Sequence, residues 1–121
     1  MKSLSYLQLK KNCARTPETP DGTRFALLGD CATQLLATAI RGYALEMNLP
    51  LRVFEADYDQ IDAQLMDAGS EFYAFNPETV LLYHCTEKLY ERFVRTPLDA
   101  RGAFAEAEIE WRGERWLAAM P

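Results

Sequence analysis

Two residues in this chain have side chains suited to nucleophilic and acid–base work, and each stands at the end of an apolar run. Cys31 follows Arg24-Phe25-Ala26-Leu27-Leu28 and the pair Gly29-Asp30, while His84 follows Thr79-Val80-Leu81-Leu82-Tyr83. A thiol at a helix N-terminus has a lowered pKa, and an imidazole beside it can take its proton. Cys31 and His84 are therefore the catalytic candidates. Gly29, Asp30, Thr33, Cys85 and Thr86 beside them are the candidate substrate-binding residues. A plainer reading is open at this level: Cys31 as an inert turn residue and His84 as a polar strand end, since free cysteines are usually buried and unreactive.

Other chemistry is thinly represented. Asp57-Tyr58-Asp59 imitates the first motif of haloacid-dehalogenase-like phosphotransferases, where the first Asp attacks phosphorus. That motif requires Thr or Val two residues after the second Asp, and Ile61 stands there, so helix-capping carboxylates are the better account. One histidine and three scattered cysteines offer no zinc spacing, and no metal site is expected. Neither a P-loop nor a G-x-G-x-x-G is present.

These candidates must be positioned by a fold, and the apolar pattern proposes one. The runs near 24–29, 51–56 and 79–84 are continuous rather than alternating, as in parallel strands buried on both faces. Helical patterns fall between them, over 3–13, 32–48, 58–66, 86–94 and 99–118, with the aromatic stretch 72–75 either helical or extended. On 32–48 the apolar face is Leu35, Leu36, Ala39, Ile40, Tyr43 and Met47, and on 99–118 it is Phe104, Ala107, Trp111 and Leu117. Thr16 to Gly22, with two prolines, is a linker. Strands alternating with helices mean βαβ units, and the expected sheet is parallel, in order 2-1-3. Ligands bind at the carboxyl ends of such strands, which places Asp30, Cys31, His84 and Cys85 in one crevice. Typical sheets have about 5–6 strands. The chain thus reads as residues 1–22, an N-terminal helix and linker, and 23–121, the first half of a larger α/β domain.

Composition narrows the class. The 121 residues carry a net charge of −5, which is no footprint for nucleic acid. No apolar run is long enough to span a membrane, and no signal-peptide core follows Met1. Cys13, Cys31 and Cys85 are widely spaced and odd in number, so reduced thiols in a cytoplasmic protein are expected.

From Gly29-Asp30-Cys31-Ala32-Thr33-Gln34-Leu35-Leu36 onward, the sequence resembles the N-terminal domain of FkbH-like proteins. The likeness includes Leu9-Lys10-Lys11-Asn12 and the run from Phe25 through Ala39-Ile40-Arg41-Gly42-Tyr43. It continues in Val53 to Ile61, Phe75-Asn76-Pro77, Val80 to His84, and Thr86-Glu87-Lys88-Leu89. The resemblance implies an SGNH-hydrolase-like, flavodoxin-like three-layer sandwich, here partial, followed by a C-terminal haloacid-dehalogenase-like domain beyond this chain. It also implies that Cys31 stands where SGNH hydrolases carry their nucleophilic serine. A later Asp-x-x-His and a Gly-x-Asn-Asp block, which complete those hydrolases, are not found.

The function so implied is the substrate- or carrier-facing domain of an acyl (glyceryl) transferase that loads an acyl carrier protein. A non-catalytic docking module and a cysteine-dependent esterase are the alternatives. This stretch is not expected to be active by itself or to hold a cofactor, with Mg2+ expected only in the C-terminal domain. The expected partners are the carrier protein and that domain. The third strand's free edge is expected either to drive self-association or to be covered by residues 97–118.

Overall fold

The computed structural model describes residues 3–120. Three strands form a parallel sheet: β1 (Thr23–Gly29), β2 (Leu51–Glu55) and β3 (Thr79–Tyr83), in the order β2-β1-β3. Phe25 lies between Val53 and Thr79, and Gly29 lies opposite Tyr83. The ladder runs one step past the strands, because Asp30 N–H donates to Tyr83 O at 3.2 Å and Ala56 N–H to Leu27 O at 3.1 Å.

The two faces of the sheet differ. Ala26 and Leu28 pack with Ala56, Ile61, Leu65, Phe72 and Trp116, and with the half-buried Phe54, Val80 and Leu82. This is the main core, closed by α3 (Ile61–Met66), α4 (Glu71–Phe75) and α7 (Glu114–Ala119). The opposite face carries α2 (Gln34–Glu46), tied down where Thr33 Oγ1 donates to Glu55 Oε2 at 3.0 Å. Only β1 is buried as its continuous apolar run predicted. β2 is half-buried throughout, and β3 alternates between exposed and half-buried residues. Both are edge strands, and α2 reaches over β1 and β2 but leaves the outer face of β3 open, with Leu81 36% and Tyr83 40% exposed.

α1 (Tyr6–Arg15) begins later than its apolar pattern suggested, because Ser5 and Gln8 form a capping box. Ser5 Oγ accepts from Gln8 N–H, and Gln8 Oε1 from Ser5 N–H, satisfying two amides that the first turn cannot. The helix crosses α2 at Gly42, where a Cβ would come within 2.7 Å of the Leu9 carbonyl oxygen. Leu9 is buried at this crossing, while Leu7 is exposed. On α2 the expected apolar face is only partly used, since Leu35 and Met47 are exposed. The linker is held to the sheet: the Glu18 carboxylate accepts from Val53 N–H on the outer edge of β2 and pairs with Arg41.

Past β3 come α5 (Thr86–Arg95), a 3-10 segment (Leu98–Ala103), α6 (Phe104–Glu108), a π-helical turn (Ile109–Gly113) and α7. One continuous helix over 99–118 therefore does not form. A π turn inserts an extra residue per turn and rotates the helix beyond it. Trp116 is buried here, while Trp111 and Leu117, expected on one apolar side of a single helix, are exposed.

Gly42→Ala should cost about 1–3 kcal/mol by overpacking the helix crossing. Gly113→Ala, with nothing near its would-be Cβ, should be neutral or gain up to about 1 kcal/mol from helix propensity. Thermal unfolding of both variants checks this, and an unperturbed Gly42→Ala would disprove the close approach. Leu81 and Tyr83 stay exposed despite residues 97–118, so the chain should sediment as a concentration-dependent oligomer. Tyr83→Lys should shift it toward monomer.

Candidate functional site

The site is built around a buried carboxylate. Asp30 is the first residue past β1 and is only 4% exposed. Its Oδ1 accepts from Cys85 N–H at 2.8 Å, and its Oδ2 pairs with His84 Nδ1. Burial alone would push this carboxyl up, but the Cys85 amide and the His84 charge outweigh it and hold Asp30 below its ordinary value. His84 in turn lies against Trp116, with ring centroids 5.2 Å apart. The Trp116 Nε1–H donates to Asp62 Oδ1 at 2.7 Å.

Asp30, His84 and Trp116 line a cleft of about 250 Å³ at the carboxyl edge of the sheet. Three cationic side chains enter it, each held by a carboxylate. Lys88 Nζ lies 3.0 Å from Asp59 and 4.6 Å from the Tyr58 ring centre. The Asp59 hydrogen bond holds the Lys88 ammonium above its ordinary value. Arg92 grips Glu108 with two bonds, at 2.9 and 3.1 Å, and Arg112 reaches the same carboxylate at 3.0 Å. Burial opposes the charge on Glu108, but Arg92 and then Arg112 keep it below the usual range.

Asp59 has φ 56° and so lies in the left-handed region, where Asp is better tolerated than most residues. Neither Asp57 nor Asp59 caps α3, whose N-cap is Gln60. The helix-capping reading of this pair is thus replaced, for Asp59, by its ion pair with Lys88.

The cysteines stand apart from the cleft. The Cys31 and Cys85 sulfurs and an Asp30 oxygen lie within 4.8 Å of one another. Burial, followed by the Cys85 thiol, Asp30 and Glu87, pushes the Cys31 thiol up rather than down. The expected lowering is absent because Cys31 precedes α2 by three positions: Thr33 is its N-cap and Gln34 its first residue. The structure thus sets Cys31 beside Cys85 and pairs His84 with Asp30. Gly29 and Thr33 are packed together, since a Cβ on Gly29 would come within 2.5 Å of Thr33 Cγ2. Thr86 opens α5 and is exposed. Gly29, Thr33 and Thr86 do not line the cleft.

The cations were missed in the sequence, although a signal existed. His84, Lys88 and Arg92 are spaced by four, as are Glu108, Arg112 and Trp116. Lys88 and Arg92 share one side of α5, with His84 just before its N-cap, and Glu108 and Arg112 pair across one turn.

A model of the FkbH N-terminal domain matches residues 24–119. The chain belongs to the FkbH N-terminal domain family. It is also similar to a crystal structure of the N-terminal part of a Bacteroides fragilis protein that contains a phosphatase domain and is complexed with Mg. The identity is 33% and the TM-score 0.78, over 95% of this chain and 30% of that one. This FkbH N-terminal domain therefore spans about 30% of that solved chain. No curated protein matches it. Among the described residues of this FkbH N-terminal domain, no helix is long and apolar enough to cross a membrane.

Asp30→Asn should destabilise the chain by roughly 1–3 kcal/mol, because Cys85 N–H and His84 lose a charged acceptor. Asp30 and Glu108 are both held low in the native state, so their stabilisation is complete above the ordinary carboxylate range. It is lost as pH falls below about 4 through the lower native values. Chemical denaturation across acidic pH should show that loss, with a shallower decline in Asp30→Asn.

Proposed function

We propose that this chain is the substrate-facing domain of an FkbH-like acyl (glyceryl) transferase. In this reading it positions a phosphate-bearing acyl group, or the phosphate of a carrier protein's prosthetic arm, for a separate phosphatase-type domain. The observation that carries the reading is the carboxyl-edge cleft, where Lys88, Arg92 and Arg112 converge beside His84. Arginine pairs are suited to bidentate contact with phosphate. Here they are pre-aligned by Glu108, which an incoming phosphate would share or displace. Trp116 supplies an apolar wall for the rest of the substrate.

Phosphorus chemistry and Mg2+ belong, in this proposal, to the haloacid-dehalogenase-like domain of the whole protein. The similar Bacteroides structure, with its phosphatase domain and Mg, supports that division. The 2-1-3 sheet and the Gly29-Asp30 turn favour an SGNH-like origin for the fold. Three free thiols fit a reducing, cytoplasmic setting. An esterase working through Cys31 is disfavoured, because its thiol is held protonated and sits beside Cys85. One observation favours a docking role in addition: the open outer face of β3, with Leu81 and Tyr83, offers an apolar surface to the catalytic domain.

In the whole protein, Arg92→Ala or Arg112→Ala should raise KM for the phosphorylated acyl donor about tenfold or more, equivalent to ~1.4 kcal/mol of lost binding. Lys11→Ala, on the exposed side of α1, should leave loading of the carrier unchanged. Unaltered KM in both arginine variants, with their folding intact by thermal melting, would sink the phosphate-positioning role. Iodoacetamide should label Cys31 slowly at neutral pH; rapid labelling would restore the esterase.

A further inference from the structure

We propose that Cys31, Cys85 and Asp30 form a binding site for a thiophilic divalent cation of the Zn2+ type, next to the cleft and sharing Asp30 with its wall. The two sulfurs and a carboxylate oxygen all lie within 4.8 Å of one another. Two sulfurs bound to one Zn2+ at about 2.3 Å each stand less than ~4.6 Å apart. Small side-chain rotations are enough to close the set around an ion.

The backbone already fixes these donors. Gly29 and Tyr83 are register partners, so Cys31 and Cys85 are the residues two further along each strand. Asp30 N–H bonds to Tyr83 O, and Cys85 N–H bonds to Asp30 Oδ1. The linkage spans 55 positions of sequence, so no zinc spacing could announce it.

An independent observation comes from the surroundings of Asp30. This carboxylate is more than nine-tenths buried, and His84 Nδ1 holds its Oδ2. A ligating carboxylate steadied by an outer hydrogen-bond partner is the usual support of a metal site. A carboxylate has about four lone-pair sites, so Asp30 can accept from Cys85 N–H and His84 and still bind an ion. Cys31 faces burial, a second thiol and the carboxylates of Asp30 and Glu87; a divalent ion is the partner that suits this environment. Two soft sulfurs select Zn2+, Cd2+ or Co2+ over Mg2+ and Ca2+. Three protein ligands leave a fourth position for water or an anion, and the half-buried Cys31 provides access.

The test is a titration of the reduced, metal-free 121-residue chain with Cd2+, read by ultraviolet sulfur-to-cadmium charge transfer. Zn2+ affinity is then measured by competition with a chromophoric chelator. One equivalent should saturate the band. Cys31→Ser and Cys85→Ser should each halve it and weaken Zn2+ binding by ~100-fold or more, and His84→Gln by ~10-fold. Cys13→Ser, whose thiol bonds to Thr38 O instead, should change neither. Absence of the band, or its full retention in both Cys31→Ser and Cys85→Ser, overturns the site. If those variants do not fold, the unmodified chain decides: Zn2+ should shield Cys31 and Cys85, but not Cys13, from alkylation. Equal labelling with and without Zn2+ would overturn the proposal.

Discussion

The carboxyl edge of this domain depends on one buried carboxylate. Asp30 ends β1 and bonds across to the residues that end β3, taking Cys85 N–H on one oxygen and His84 on the other. A buried charge is tolerated only when it is paired and hydrogen-bonded, and here both conditions are met by the neighbouring strand. The consequence is geometric. The bond to Cys85 fixes where α5 begins, because Cys85 is its N-cap, and the pairing with His84 sets the imidazole against Trp116. Glycine at position 29 belongs to the same constraint, since Thr33 occupies the space a side chain would need.

The cleft draws on elements far apart in the chain, and ion pairs and the contacts of Trp116 join them across it. Glu108, Arg112 and Trp116, spaced by four, come from the stretch that runs from α6 through the π-helical turn over Ile109–Gly113 into α7, and Arg112 and Trp116 line the cleft. Glu108 then holds Arg92 from α5 and Arg112 from its own helix. A single carboxylate between two guanidiniums leaves local positive charge, and Lys88, His84, Asp59 and Asp62 complete a mixed-sign lining. Such a surface is polar, pre-ordered and suited to a ligand that is itself charged.

The two faces of the sheet are stabilised very unequally. The face with Ala26 and Leu28 is sealed by three short helices and an aromatic cluster. The other face depends on α2, which is itself held by α1 through the close contact at Gly42. α2 reaches over β1 and β2 but not over the outer face of β3. The N-terminal helix thus supports the sheet indirectly, and its linker protects the β2 edge by lending Glu18 to Val53 N–H.

The strands and their order were legible in the amino-acid pattern alone. Continuous apolar runs near 24–29, 51–56 and 79–84, separated by helical patterns, are compatible with little besides a parallel sheet, and the order 2-1-3 expected of a doubly wound sheet is the one found. The same pattern located Asp30 and His84 at the carboxyl edge. It left open which of the edge residues would meet. Neighbouring residues on an extended chain point to opposite sides, so His84 and Cys85 part, while the Asp30 carboxylate sits between them, within reach of His84 and of both thiols. A strand that is apolar at every position carries no alternation to say which side is which. It took the packing of α5 and α7 to bring His84 to Asp30 against Trp116, and to leave Cys31 with Cys85. The arginines carried a four-residue spacing, but spacing within one helix does not say which other helix it will face: Arg92 of α5 and Arg112 near the chain's end come together only because both reach Glu108 in the folded chain.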